Sequence, residues 1–277
     1  MSNCNSCPSK GKCGKNEDTC GVKNNEQNHI KHVIGVMSGK GGVGKSSMSV
    51  LLAKGLVKQG YKVGIMDADI TGPSIPRLLG LEREKAYGTN DAIQPVIDKD
   101  GIKVISLNFL MEDEYQPVVW RGPIVGNAVG QFWSDVIWGE LDFLLIDMPP
   151  GTGDVALTVL QNLPVNGVVM ISTPQPMVSM IVSKAINMCT QVEIPVLGVI
   201  ENMSYMECPD CGKHIEMFQQ KDTEDFLKMH SLNLWAELPM TPLINQIYQD
   251  DNYDSATAEK MLGYIQPAVD SLIEAMK

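Results

Sequence analysis

From about residue 30 onward, short apolar runs alternate with longer stretches whose apolar residues recur at helical spacing. The short runs predict buried strands and the longer stretches predict amphipathic helices. Strands are predicted at His32–Met37, Lys62–Met66, Ile102–Leu107, Phe143–Ile146, Val168–Ser172 and Val196–Ile200. Helices are predicted at Ser47–Gln59, Ile124–Trp138, Val155–Gln161, Met177–Thr190, Thr223–Met229 and Ala256–Met276. This alternation predicts an α/β fold, a doubly wound and mostly parallel sheet with helices on both faces.

The first 30 residues are rich in Asn, Lys, Ser, Gly and Cys and carry almost no large apolar side chain. Such a segment cannot bury a core, so we expect a flexible arm over residues 1–30, unless a metal orders it, and one domain over residues 31–277. The thiols of the arm belong to Cys4, Cys7, Cys13 and Cys20. Four thiols on a flexible segment can close around one iron–sulfur cluster, and the alternative is a tail with incidental thiols.

Charge and composition narrow the choice of partners. The chain has 277 residues and a net charge of −11, which argues against a broad surface for nucleic acid. No apolar run approaches the roughly 20 residues of a membrane-spanning helix, and the last predicted helix is acidic, so no membrane partner is expected. The polar N-terminus does not resemble a secretion signal, and the expected location is therefore cytoplasmic. In a reducing compartment, seven cysteines favour metal or redox chemistry over disulfides.

A glycine-rich loop lies between the first predicted strand and the first predicted helix. It fits the phosphate-binding pattern Gly, four residues, Gly-Lys-Ser, in which glycines let backbone N–H groups approach a polyphosphate. Lys45 can reach the terminal phosphates, and the Ser46 hydroxyl can ligate Mg²⁺. The residues expected to bind nucleotide are Gly39, Lys40, Gly41, Gly42, Val43, Gly44, Lys45, Ser46 and Ser47.

Two further loops bring carboxylates to the same edge of the predicted sheet. Asp67 and Asp69 follow the second strand, and Asp147 follows the fourth. An aspartate directly after an apolar strand is the Walker B arrangement, so Asp147 is expected to hold Mg²⁺ through water. Asp69 lies within reach of an attacking water, whereas Asp67 is expected to close a turn or cap a helix. Gly151 lets the loop after Asp147 move as the γ-phosphate comes and goes.

Together these motifs resemble the deviant Walker A ATPases, a P-loop NTPase superfamily that includes MinD, ParA, the nitrogenase iron protein and the arsenite-pump ATPase. Lys40 stands in the place of the signature lysine of that superfamily, which crosses a dimer interface to the nucleotide of the partner. The resemblance also implies that Asp69 positions the attacking water. It further implies that Asn202, which follows a predicted strand, reads the adenine.

A second chemical feature is the segment Glu207–Gly212, which reads Glu-Cys-Pro-Asp-Cys-Gly. Its two thiols can point at one metal, but zinc and iron–sulfur clusters usually take four ligands. His214 is a possible third ligand for zinc. Alternatively, Cys208 and Cys211 from two symmetric chains hold one [4Fe–4S] cluster on the two-fold axis.

The flanks of this pair resemble the Mrp branch of the superfamily, as do Asn202–Met206, Gly72–Pro76 and Trp120–Pro123. That branch, with its bacterial ApbC-type and eukaryotic Nbp and Cfd members, binds and transfers [4Fe–4S] clusters. Some members also carry a ferredoxin-like cluster near the N-terminus. Here Cys20 lies after the other three arm thiols, whereas the separate cysteine of those members comes first.

The resemblance implies a dimeric ATPase that binds ATP, Mg²⁺ and a [4Fe–4S] cluster and passes the cluster to apo iron–sulfur proteins. The dimer is expected to be a homodimer, or a heterodimer with a paralogue. One alternative is a spatial organiser like MinD or ParA, which the acidic charge disfavours. The other is an ATPase with a structural zinc knuckle.

Overall fold

The structure is a computed structural model that describes residues 24–69, 72, 74–89, 92–111, 122–208, 210–216, 221–241 and 255–277. The predicted arm cluster of Cys4, Cys7, Cys13 and Cys20 lies outside these residues. The first strand begins at His29, just before the predicted boundary between arm and domain.

The strands of the described residues are β1 (His29–Ser38), β2 (Val63–Asp67), β3 (Gly88–Thr89), β4 (Ala92–Ile93), β5 (Val96–Ile97), β6 (Lys103–Ile105), β7 (Glu140–Asp147), β8 (Gly167–Ser172), β9 (Val196–Glu201), β10 (Tyr205–Glu207), β11 (His214–Glu216) and β12 (Leu234–Glu237). Eight of these strands form one sheet in the order β12-β9-β8-β1-β7-β2-β6-β5. All neighbours in the sheet are parallel except the edge pair of β5 and β6. The predicted mostly parallel sheet is confirmed.

Helices cover both faces of this sheet, as predicted. They are α1 (Lys45–Lys58), α2 (Ile75–Leu78), α3 (Gly122–Ser134), α4 (Asp154–Asn162), α5 (Pro176–Gln191), α6 (Lys221–His230) and α7 (Ser255–Ala275). One core lies under α1 and α7 and contains Leu52 and Val269. The other lies under α3, α4 and α5 and contains Phe132, Val159 and Val182. None of the described helices combines the length and the apolar character that a membrane crossing requires.

The helix predicted at Ile124–Trp138 ends earlier, at Ser134. Val136 and Trp138 continue the apolar pattern because both are buried, but they lie in the connection to β7. Val136 pairs with Ile93, and Trp138 Nε1 donates a hydrogen bond to the Phe132 carbonyl over 3.1 Å. These two residues are buried as helix residues would be, but their backbone is not helical. The predicted end of the helix was therefore wrong.

The close approach of α1 and α7 depends on Gly55. A Cβ built on this buried residue would lie 2.6 Å from Cγ2 of Val269. Near the same crossing, Gln59 Nε2 donates to Asp270 Oδ1 over 2.8 Å. The missing side chain thus lets the helix that follows the glycine-rich loop pack directly on the last helix.

We expect Gly55→Leu to lower the free energy of unfolding by about 1–3 kcal/mol, because the new side chain overpacks the α1–α7 contact. Urea denaturation measures this change. The matched control is Gly263→Leu on α7, where a built Cβ meets no described atom within 4 Å. That variant should be as stable as the wild type or slightly more stable, because leucine favours helix over glycine. Equal stability of the two leucine variants would contradict the packing argument.

Candidate nucleotide site and cysteine pair

The glycine-rich loop connects β1 to α1 at the centre of the sheet. Gly42 and Gly44 have φ angles of +79° and +83°, in the left-handed region that favours glycine. A Cβ on Gly41 or Gly42 would meet no described atom within 4 Å, whereas one on Gly44 would lie 2.4 Å from Asn202 Nδ2. The loop therefore packs against Asn202 on one side and is open at Gly41 and Gly42, which fits the close approach of a polyphosphate.

Asp147 is fully buried at the end of β7 and accepts hydrogen bonds from three side chains of α1. Lys45 Nζ and Ser46 Oγ donate to Oδ2 over 2.7 and 2.6 Å. Ser49 Oγ donates to Oδ1 over 2.7 Å. A buried carboxylate needs such donors to replace the hydrogen bonds to water that it loses on folding. The lysine and the predicted Mg²⁺ ligand of the loop thus meet at one carboxylate.

Asp69 lies at the same place, with its Oδ2 atom 3.8 Å from Lys45 Nζ. The side chains of Lys45 and Asp69 are 6% and 15% exposed, so their attraction is only partly screened by solvent. The structure therefore brings Lys45, Asp69 and Asp147 together at one edge of the sheet, where the sequence placed them.

Asp67 is completely buried beside this group, and its carboxylate accepts hydrogen bonds from backbone N–H groups. The amide N–H groups of Asp69 and Ile75 donate to its two oxygens over 3.3 and 3.4 Å, and Ser106 Oγ donates over 3.1 Å. Burial, followed by the negative charge of Asp147, raises the pKa of Asp67 well above its ordinary value of 3.8. These contacts agree with the turn and cap role that the sequence suggested.

Lys40 lies apart from the other predicted catalytic residues. Its Nζ atom donates to Oε1 of Gln175, directly before α5 in the same chain. Its carbonyl accepts a hydrogen bond from Ser38 Oγ over 3.0 Å. Within one chain, the structure therefore does not bring Lys40 to Asp147.

Asn202 and Gly151 both contact the segment around the loop. The buried Asn202 Nδ2 donates to the Val43 carbonyl over 2.9 Å, which fixes the loop from the end of β9. The Gly151 amide donates to the Ser38 carbonyl over 2.9 Å, with φ at +81°. The adenine contact predicted for Asn202 stays a prediction, and the loop contact is an additional role.

Sequence reasoning missed two residues of this site, Ser49 and Gln175. Ser49 lies one helical turn after Ser46, and that spacing places both hydroxyls on one face of α1. This signal was present in the sequence. Gln175 carried no comparable signal, because its partner Lys40 lies far away along the chain.

The two thiols predicted to bind metal lie on the hairpin formed by β10 and β11. Cys208 directly follows β10, and the exposed Cys211 lies in the turn. The Cys208 amide donates to the Lys213 carbonyl over 3.0 Å, and the Gly212 amide donates to the Cys208 carbonyl over 2.9 Å. Backbone N–H donors at Asp210 and Cys211 lower the pKa of Cys208, followed by the Cys211 thiol. A lowered pKa favours the thiolate, the form that binds metal.

His214 does not complete a zinc site with this pair. Its ring stacks on Tyr205 with centroids 4.0 Å apart. Among the described residues, no group of three or more His, Cys, Asp or Glu side chains is arranged to hold a metal ion. Each chain thus offers two thiols in this region, which leaves the proposed third zinc ligand unsupported.

A family model described as ParA, NUBPL iron-transfer P-loop NTPase, matches residues 29–276. The chain belongs to this family. The resemblance to deviant Walker A ATPases and to their iron-transferring branch is therefore confirmed. The buried Lys45–Asp147 pair lies within the matched residues.

Curated relatives agree with the family. A protein from Clostridium perfringens named iron-sulfur cluster carrier protein is 44% identical over 95% of this chain and 97% of its own length. One of the same name from Methanocaldococcus jannaschii is 43% identical over 86% of this chain and 83% of its own.

Solved structures support the same fold. A nucleotide-binding protein from Archaeoglobus fulgidus in complex with ADP has a TM-score of 0.70 and 43% identity, covering 79% of this chain and 86% of its own. MinD from Pyrococcus furiosus has a TM-score of 0.60 and 18% identity, covering 88% of this chain and 99% of its own. The second likeness concerns the fold alone.

The raised pKa of Asp67 predicts a pH dependence of stability in the protein without nucleotide and Mg²⁺. The folded state binds a proton at Asp67 more tightly than the unfolded state, so the cost of its buried charge is removed as pH falls through the raised pKa. We therefore expect the stability of the wild type, relative to Asp67→Asn, to increase as the pH falls from alkaline to mildly acidic values. Denaturant titrations across this range measure the difference.

Asp142→Asn is the control for this prediction. Hydrogen bonds from Lys31 and the Lys62 amide lower the pKa of Asp142 below 3.8, so its stabilising charge is lost only under more acidic conditions. The difference between wild type and Asp142→Asn should stay constant over the same range. If the stability difference between wild type and Asp67→Asn is also constant over this range, burial does not destabilise the charged form of Asp67.

Proposed function

We propose that this chain is an ATP-hydrolysing, dimeric carrier that binds a [4Fe–4S] cluster and transfers it to apoproteins. Support comes from family membership and from relatives that bear the name iron-sulfur cluster carrier protein. The recipients are apo iron–sulfur proteins, and the reducing cytoplasm is the compartment in which the thiols stay available.

The observation that carries this proposal is a pair of thiols, the half-buried Cys208 and the exposed Cys211, on one hairpin of a P-loop NTPase chain. A [4Fe–4S] cluster takes four thiolates, and the hairpin supplies two. Two copies related by a two-fold axis supply four, so one cluster is shared between two chains. The second chain is another copy, or a paralogue with the same pair.

The nucleotide half of the proposal uses the residues around Asp147. Lys45 supplies positive charge to the phosphates of ATP, and Ser46 supplies a hydroxyl ligand to Mg²⁺. Both exchange their hydrogen bonds to Asp147 for these contacts. Bound Mg²⁺ neutralises phosphate charge, and Asp69 orients the attacking water.

Lys40 is assigned to the dimer. Its Nζ atom is hydrogen-bonded to Gln175 and not to Asp147 of its own chain, which fits the role across a dimer that the signature lysine has in related ATPases. In the dimer, Lys40 leaves Gln175 and contacts the nucleotide of the partner. The arm that precedes β1 is assigned a second cluster held by its four thiols, Cys4, Cys7, Cys13 and Cys20.

The cluster assignment predicts a defined iron content. The background variant removes the arm thiols: Cys4→Ser, Cys7→Ser, Cys13→Ser and Cys20→Ser. After anaerobic reconstitution with iron and sulfide, this full-length chain should bind about two iron atoms per chain, because four are shared by two chains. Adding Cys208→Ala and Cys211→Ala should abolish the iron and its charge-transfer absorbance.

Cys189→Ala is the matched control, because this thiol is buried in the core and burial raises its pKa to about 11. Its iron content should equal that of the background variant. Zinc without iron uptake, in protein purified without oxygen, would instead identify a structural zinc knuckle. Full cluster retention after removal of Cys208 and Cys211 would also overturn the assignment.

The role of Lys40 predicts a specific defect in assembly. Lys40→Ala should weaken dimer formation with a non-hydrolysable ATP analogue about tenfold or more, since each chain loses a charge-assisted hydrogen bond to the partner's phosphates. Light scattering across a concentration series measures this. Lys31→Ala is the control, because Lys31 is an exposed lysine of β1 paired with Asp142. Equal dimerisation of both variants would contradict a contact across the interface.

A further inference from the structure

The cysteine hairpin contacts the last helix through Glu207, the residue before Cys208. Lys260 Nζ of α7 donates to Glu207 Oε2 over 2.7 Å, and Tyr264 OH donates to Oε1 over 2.6 Å. Lys260 and Tyr264 lie one turn apart on α7, so both reach one carboxylate. Each oxygen of Glu207 is therefore occupied by a donor from the same helix.

The hairpin needs such an external contact because it is small. Each of its strands has three residues, and isolated two-stranded hairpins are marginally stable in water. All three residues of β11 are exposed. On β10, alternation places Met206 outward and Glu207 on the side of α7. Near the start of β10, the Met240 amide donates to the Tyr205 carbonyl over 2.7 Å. The contacts of Glu207 hold the other end, next to Cys208.

The last helix is itself fixed to the helix of the nucleotide loop. Val269 packs against Gly55 of α1, and Asp270 accepts a hydrogen bond from Gln59. The carboxylate of Glu207 is thus attached to a helix that packs directly on the helix of the nucleotide loop. Its side chain is 28% exposed and that of Lys260 is 49% exposed, so the pair is partly screened and acts mainly through geometry.

The groups that face Glu207 keep it ionised. The hydrogen bond from Lys260 and then that from Tyr264 lower the pKa of Glu207, and His214 on β11 has a weaker effect in the same direction. The contact is therefore made in its charged form at neutral pH.

We propose that Glu207 is a positioning residue for Cys208 and Cys211, through which α7 fixes the geometry of the thiols that hold the cluster. The role in holding a cluster rests on the proposed function, whereas the positioning of the thiols does not. Loss of the contact loosens the turn in which the Asp210 and Cys211 amides donate to the Cys208 sulfur. It also leaves the Glu207 charge uncompensated next to Cys208.

The test uses the full-length, reduced chain without cluster and the variant Lys260→Met, which keeps the length of the side chain and removes the ion pair. Deuterium exchange over residues 205–216 is followed by mass spectrometry. We expect exchange in this segment to become about threefold faster, because the hairpin loses one of the two contacts that hold Glu207 to α7. In the reconstituted protein, cluster loss to an iron chelator should be about threefold faster.

Three comparisons decide the outcome. Lys260→Arg should restore the wild-type values, because arginine can pair with the same carboxylate. Gln266→Ala removes another side-chain hydrogen bond of α7, to Asp270, and should leave exchange over residues 205–216 unchanged. If Lys260→Met matches Gln266→Ala in exchange, the positioning role is wrong. If no variant takes up iron while Lys260→Met still speeds exchange of the hairpin, the cluster function fails and the positioning role stands.

Discussion

The site depends on one buried carboxylate, Asp147, and on the strand register that places it. In the sheet, Asp147 is aligned with Val36 of β1 on one side and with Asp67 of β2 on the other. β2 and β7 therefore end at the same height, and β1 runs two residues further, to Ser38, before the glycine-rich loop begins. Because Lys45, Ser46 and Ser49 all donate to this carboxylate, the beginning of α1 is fixed to the centre of the sheet. A shift in register would separate all of these groups at once.

Much of the fold could be predicted because its central strands are buried on both faces. Val33–Met37 and Leu144–Ile146 are continuous apolar runs, which parallel sheets covered by helices require. The strands that were not predicted lie at edges or in hairpins. β5 has two residues, and β10 and β11 have three each, with exposed Ile215 and Met206. Such short segments are set by tertiary contacts, which leave no periodic signal in the sequence.

The candidate site could also be predicted in part. Local motifs identified Lys45, Asp69 and Asp147, because phosphate chemistry demands these residue types in and around the loops that follow strands. The contacts of Lys40 with Gln175 and of Glu207 with Lys260 join residues that are distant along the chain. Polar residues of this kind occur throughout a surface, and only the folded geometry shows which pairs meet. The sequence therefore revealed the chemical groups, and the structure revealed what holds them.

The proposed sharing of one cluster between two cysteine hairpins would make the carrier depend on its own abundance. When a complete set of ligands requires two chains, mass action sets how long the cargo is retained. In the proposed dimer, dense populations of the protein keep their clusters, whereas scarce chains separate and release them. Release from such a dimer requires no unfolding, because parting two surfaces exposes the cargo while each domain stays intact. A recipient that offers thiols at the open hairpin then competes with the departing copy for the same metal.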